Sequence, residues 1–201
     1  MISKLSGNLV KVLIKNNKIR AEEQELYEYG VYVLLTQLFF FCVSCACGFL
    51  FGVPVESIIY YISFQFIRKY AGGYHAKTET RCQIFSSLSI IGCIALMKIA
   101  YNHNLLIAAA AFVAAASLLI IAFAPLDTPE KPLTAKEYKH FRKISVIILA
   151  VIDAAIVLSM ILKMETIYEP LVITLLFEAV LLTAGKIQKL KNTRLKLITN
   201  Q

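Results

Sequence analysis

Apolar residues in this chain fall into long, nearly unbroken runs separated by short polar segments. Val31–Phe51 carries no charge and is as long as the roughly 20 helical residues that a hydrocarbon core requires. Ile84–Tyr101, Leu105–Ala124 and Ile144–Leu162 have similar length, and Thr166–Ala184 qualifies although Glu169, Pro170 and Glu178 interrupt it. Pro54–Ile67 is shorter; as a helix it reaches only roughly 21 Å and suits a thinned bilayer or a re-entrant segment. The first 20 residues differ: Ile2, Leu5, Leu9, Val12 and Leu13 recur at helical spacing with lysines elsewhere. That pattern predicts an amphipathic helix in the membrane interface, with a solvated helix as the alternative. The fold expected is an all-α polytopic membrane protein, a single domain over 1–201 with about six transmembrane helices, the second one short.

Basic residues orient the runs. Segment 1–30 holds five Lys or Arg, 68–82 four, 125–143 five and the tail after residue 185 five more. The turns at 52–53 and 102–104 hold none, and the turn after Leu162 holds only Lys163. The alternation places both termini and segments 68–82 and 125–143 in the cytoplasm of a multi-pass cell-membrane protein. Composition agrees, since 58% of the 201 residues are hydrophobic and only 17% charged, whereas soluble domains are about half apolar and a quarter charged. The formal charge of +8 lies mainly between the runs, where it anchors spans to lipid headgroups rather than binding nucleic acid. No cleavable signal peptide is visible, because Lys4, Lys11, Lys15 and Lys18 interrupt the N-terminal stretch.

This topology filters the reactive side chains. Cys42, Cys45, Cys47 and Cys93 lie inside expected spans, where a cysteine behaves as a small inert hydrophobe. The first three read as small-residue helix packing, and no zinc constellation accompanies them; neither metal nor cofactor is expected. Cys82 sits at the cytoplasmic boundary beside Arg81, and positive charge favours the nucleophilic thiolate. His75 shares its segment, His140 is the rival cytoplasmic base, and His103 falls on the outer side. On one straight helix His75 and Cys82 would stand about 10.5 Å apart along the axis, so the chain has to bend for them to meet. Gly72 and Gly73 supply a break just before His75, and their N–H groups are candidate oxyanion donors. The alternative is a loop histidine and a boundary cysteine with no joint role. Lys77–Thr78 is no Walker motif, because alanine stands where glycine is needed at 71 and 76.

The stretch Arg68-Lys-Tyr-Ala-Gly72-Gly73-Tyr-His75-Ala, followed by Cys82, resembles the core of the accessory gene regulator protein B family. So does the later loop Ala124-Pro125-Leu-Asp127-Thr-Pro129-Glu-Lys131-Pro132-Leu, and the likeness extends over essentially the whole chain. The resemblance implies an integral-membrane cysteine endopeptidase of quorum sensing, which processes the precursor of a cyclic autoinducing peptide. By resemblance His75 is the base, Cys82 the nucleophile, and Arg68 and Gly73 match positions that support activity. Expected partners are a small precursor peptide, membrane lipid and a second copy in a homodimer.

The expected chemistry is attack of the Cys82 thiolate on a peptide carbonyl, leaving an acyl-enzyme thioester that a peptide thiol or hydroxyl then captures as a ring. The basic loops are candidates to hold an acidic peptide tail, against the alternative that they only anchor spans. Thr134 and Glu137 form a capping box for the helix leading into the fifth span. Asp153 and Glu178 lie deep in spans; structural pairing with each other, with Lys98 or with a partner is expected, and a role near His75 is not. The competing function is a non-catalytic small transporter or accessory subunit. Against it stands the lack of paired Gly/Pro-broken spans.

Overall fold

The computed structural model describes residues 2–16, 18–74, 78–101, 106–127 and 133–199, and among these there are seven α-helices and no strand. Helix α1 spans Ile2–Lys15, α2 Gln24–Phe51 after a 3-10 turn at Ala21–Glu23, α3 Pro54–Ala71 and α4 Glu79–Tyr101. Helices α5 (Leu106–Phe123), α6 (Ala135–Ile161) and α7 (Glu165–Thr199) complete the order. Four stretches are long and apolar enough to cross a membrane: Ala21–Phe51, Glu79–Ile99, Ala135–Ile161 and Glu165–Asn192. The other two expected spans form as helices α3 and α5 of 18 residues each.

Several helices outrun the apolar runs that announced them, among them α2, α3 and α4. Helix α3 does not stop at Ile67 but continues through Arg68 and Lys69 to Ala71, giving a length of about 27 Å rather than 21 Å. Segment 68–82 is therefore helical at both ends. Of the expected 125–143 loop the part from Ala135 onwards is helical, so that Lys136, Lys139, Arg142 and Lys143 ride on α6. The capping box is present: the Thr134 hydroxyl accepts from the Glu137 amide, and the Glu137 carboxylate accepts from the Thr134 amide at 2.9 Å. Each bond satisfies an amide that a helix start leaves without an intrahelical partner.

The chain divides into two compact units, Met1–Val43 and Ser44–Gln201. In the first, α1 buries Ser6 and Val10 and leaves the apolar Leu5, Leu9 and Val12 exposed. In the second, α7 packs against α3, α4, α5 and α6. Leu171, Leu175, Ala179 and Leu182 of α7 share a buried cluster with Ile67 and Ala71, Ala116 and Ile120, and Leu149, Ile152 and Ile156. The outer faces carry exposed Leu88, Leu96, Val151, Val157 and Ile161, an apolar surface suited to lipid. Where α2 meets α3, Ser44 donates to the Ser57 carbonyl at 3.0 Å, and a Cβ on Gly48 would run into Ser57. The close approach expected of small residues is made by Ser44 and Gly48, while of the neighbouring cysteines Cys47 is buried and Cys42 exposed.

Helices α3 and α7 run in the same direction. Ser63 lies 2.9 Å from Thr174, the Phe64 ring meets Phe177 at 5.4 Å, Arg68 faces Glu178, and Tyr74 reaches Leu181, so both numberings rise together.

Candidate active site

Helix α3 ends where its sequence turns to glycine. The Gly72 amide still donates to the Arg68 carbonyl at 3.1 Å, but Gly72 (φ 76°) and Gly73 (φ 135°) leave the helical path in conformations that side chains disfavour. Space requires glycine as well, since a Cβ at Gly72 would stand 2.5 Å from the Leu126 carbonyl oxygen. The expected break before His75 is therefore in place, while the Gly72 N–H closes the helix and is not a free oxyanion donor.

Arg68 holds the turn from the side. Its Nη1 donates to the Gly72 carbonyl at 2.6 Å and its Nη2 to the Tyr74 carbonyl, a two-pronged grip that a planar guanidinium is shaped to make. Gly73 lies inside this grip, and a Cβ there would fall on the guanidinium. Arg68 and Gly73 are thus two halves of one arrangement.

Helix α7 forms the floor. The Tyr74 amide donates to the Leu181 carbonyl at 3.0 Å, using the second lone pair of a helical carbonyl. Gly185, one turn further, leaves that carbonyl open: a Cβ there would stand 2.8 Å from the Tyr74 nitrogen and 2.9 Å from the Gly73 carbonyl carbon. Glu178, fully buried, faces Arg68 with 3.9 Å between Oε1 and Nη1. This corrects the expectation for Glu178, whose partner is neither Asp153 nor Lys98 but the arginine of the glycine turn. Asp153 pairs separately, accepting from the Ser117 hydroxyl at 3.0 Å.

The second motif packs on the first. The Leu126 amide donates to the Ala71 carbonyl at 2.8 Å, and Leu126 and Gly72 form a parallel bridge. Arg142 donates to the Ala124 carbonyl at 3.0 Å and Lys189 pairs with Asp127, so α6 and α7 both secure residues 124–127. The Tyr70 ring meets Phe141 at 5.8 Å; the adjacent rival base His140 is exposed.

Cys82 lies in the first turn of α4, half-buried, its amide donating to the Thr78 carbonyl at 2.9 Å. The Thr78 hydroxyl accepts from the Arg81 amide at 3.4 Å and caps the same turn. A helix N-terminus carries partial positive charge, a support for an anion that adds to Arg81. Phe85, on the same face one turn beyond Cys82, packs against the Tyr74 ring at 5.5 Å. The residue before His75 and the residue one helical turn after Cys82 are thereby in contact. His75 lies outside the described residues, as do His103, Lys77, Pro129, Lys131 and Pro132. The α7 contacts at Glu178, Leu181 and Gly185 were missing from the sequence reading; the one signal was a carboxylate deep in a span.

The model of the family described as Accessory gene regulator B matches residues 6–182. An AgrB-like protein of Clostridium perfringens strain SM101 is 28% identical over 170 residues, covering 81% of this chain and 78% of its own. A second from Clostridium perfringens strain 13 is 25% identical over 186 residues, covering 88% of this chain and 87% of its own. An AgrB-like protein of Listeria innocua is 23% identical over 138 residues, covering 67% of this chain and 66% of its own. No solved structure matches.

Proposed function

Because this chain belongs to the accessory gene regulator B family, we propose that it is a membrane cysteine endopeptidase that cleaves a signalling-peptide precursor and closes the product into a ring. The observation that carries this reading is the packing of Tyr74 on Phe85, which draws the segment leading into His75 onto the helix turn that holds Cys82.

In the proposed reaction His75 takes the proton of the Cys82 thiol, and the thiolate adds to a backbone carbonyl of the precursor. The tetrahedral adduct collapses, the C–N bond breaks, and the imidazolium returns the proton to the departing amine. The N-terminal fragment stays on Cys82 as a thioester. A thiol of that fragment then attacks the thioester carbonyl; a C–S bond forms in the peptide, the Cys82 thiolate leaves, and the peptide thiol proton passes through His75 to Cys82. The product is a thiolactone, or a lactone where the peptide offers a serine hydroxyl. Exchange of one thioester for another is close to neutral in free energy, so the first step carries the activation.

Six crossings with cytoplasmic termini fit the basic-loop pattern, and the common direction of α3 and α7 supports the count. Helices pointing the same way need an odd number of crossings between them, and α4, α5 and α6 supply three. The precursor, with an acidic tail, would meet the basic cytoplasmic face, and two copies would form the working unit.

The test is mass spectrometry of the precursor co-expressed with wild-type protein, Cys82→Ala and His75→Ala. The expected product is a shortened peptide lighter by one water than its linear form, absent with both variants. A ring formed without Cys82 would overturn the assignment.

A further inference from the structure

We propose that Glu178 is a positioning residue for this reaction: its buried carboxylate fixes the Arg68 guanidinium and, through it, the glycine turn that immediately precedes His75. The inference rests on the peptidase reading above.

Thr174, Glu178, Leu181 and Gly185 recur at spacings of four, three and four, which puts them on one face of α7. Each meets α3 or its turn: Thr174 lies against Ser63, Glu178 against Arg68, the Leu181 carbonyl against the Tyr74 amide, and Gly185 beneath Gly73 and Tyr74. Three of these contacts are neutral. The fourth places a carboxylate in the core, fully buried, with neither oxygen hydrogen-bonded among the described residues. A group so costly to bury needs compensation, and the cation beside it is Arg68.

The separation shows what the pair does. At 3.9 Å the contact is too long for a hydrogen bond, so the attraction is Coulombic and acts in poorly polarisable surroundings. The guanidinium therefore keeps one N–H of each terminal nitrogen for the Gly72 and Tyr74 carbonyls while Glu178 balances its charge. Without that charge, Arg68, whose side chain is 17% exposed, is drawn towards solvent and away from both carbonyls. The turn then loses its lateral hold immediately before His75. Glu178 thus acts on the base without touching the reacting atoms.

The experiment follows alkylation of Cys82 by iodoacetamide in nanodisc-embedded protein, read on the Cys82 peptide by mass spectrometry. A correctly placed His75 raises the thiolate fraction and hence the rate. Glu178→Gln, which keeps the shape and removes the charge, is expected to slow alkylation about tenfold, as a partly displaced base leaves less of the thiol ionised. Glu178→Asp restores most of the rate. In the His75→Ala protein, already slow, Glu178→Gln adds nothing further. A wild-type rate in Glu178→Gln overturns the proposal, and so does slowing that persists undiminished without His75, since that marks general loosening of the fold. Should Glu178→Gln not fold, failure of the folded Asp variant to exceed the His75→Ala rate overturns it equally. A wild-type rate in His75→Ala removes the base assignment itself, and this proposal with it, whatever Glu178→Gln does.

Discussion

Replacing Gly185 by alanine adds one methyl group where the glycine turn lies closest to α7. The new Cβ would stand 2.5 Å from Leu126 Cδ2, 2.8 Å from the Tyr74 nitrogen and 2.9 Å from the Gly73 carbonyl carbon. The leucine methyl has some freedom to rotate away, but the other two atoms are backbone. Returning the Tyr74 contact to an ordinary 3.4 Å requires the turn to rise by about 0.6 Å, taken from the difference between the two distances. Three effects then compete. Alanine in a helix gains up to about 1 kcal/mol over glycine. Overpacking costs about 1–3 kcal/mol. Lengthening the bond from the Tyr74 amide to the Leu181 carbonyl loses up to about 1 kcal/mol more. The net change in stability is small, about 1–2 kcal/mol unfavourable, and leaves a folded protein. Function responds more steeply, because a displacement approaching 1 Å at a reacting group costs about 100-fold in rate. Gly185→Ala protein in nanodiscs is therefore expected to melt within a few degrees of wild type, about the shift that 1–2 kcal/mol produces at this size. Single-turnover processing of the precursor is expected to fall by about 30- to 100-fold. Gly30→Ala and Gly92→Ala, whose added methyl groups meet nothing within 4 Å, serve as controls and should process at the normal rate. Normal processing by Gly185→Ala would refute the docking of the turn on α7.

Further outcomes follow from neighbouring contacts. Arg68→Lys replaces a planar fork by a point charge that does not span the Gly72 and Tyr74 carbonyls, so processing should fall about tenfold with peptide binding retained, measured as kcat against KM. Thr134→Ala removes the cap of α6 at about 1 kcal/mol, and hydrogen exchange at the Glu137 and Tyr138 amides should quicken about fivefold. Asp127→Asn breaks an ion pair that is well exposed on both sides, so melting at low and high salt should shift by less than about 1 kcal/mol in equivalent stability.

Much of the framework was legible in the sequence because it is local. Apolar runs located the helices, Gly72 and Gly73 marked the end of α3, and Thr134 with Glu137 marked the start of α6. Helix ends were misjudged wherever charge was taken as the boundary. Arg68 and Lys69 end the hydropathy of their span, yet backbone hydrogen bonding continues until the chain meets a residue free to take positive φ. The α7 face was hidden for a different reason. Residues 68 and 178 are joined by packing, and no periodicity in one chain reports a contact across so long a separation. Depth in its span alone puts Glu178 several turns from the cytoplasmic face and so from the turn. The turn instead packs against α7 between Glu178 and Gly185.

That seat also bears on the order of assembly. The turn after α3 is made early in synthesis, but the carbonyl, the carboxylate and the glycine that support it belong to α7, more than 100 residues later. When α3 and α4 have been made, Arg68, Gly72 and Gly73 are present without the α7 surface on which their turn rests. In the proposed peptidase the glycine turn would therefore gain its seat only once α7 has joined the bundle, the last of the helices to be made.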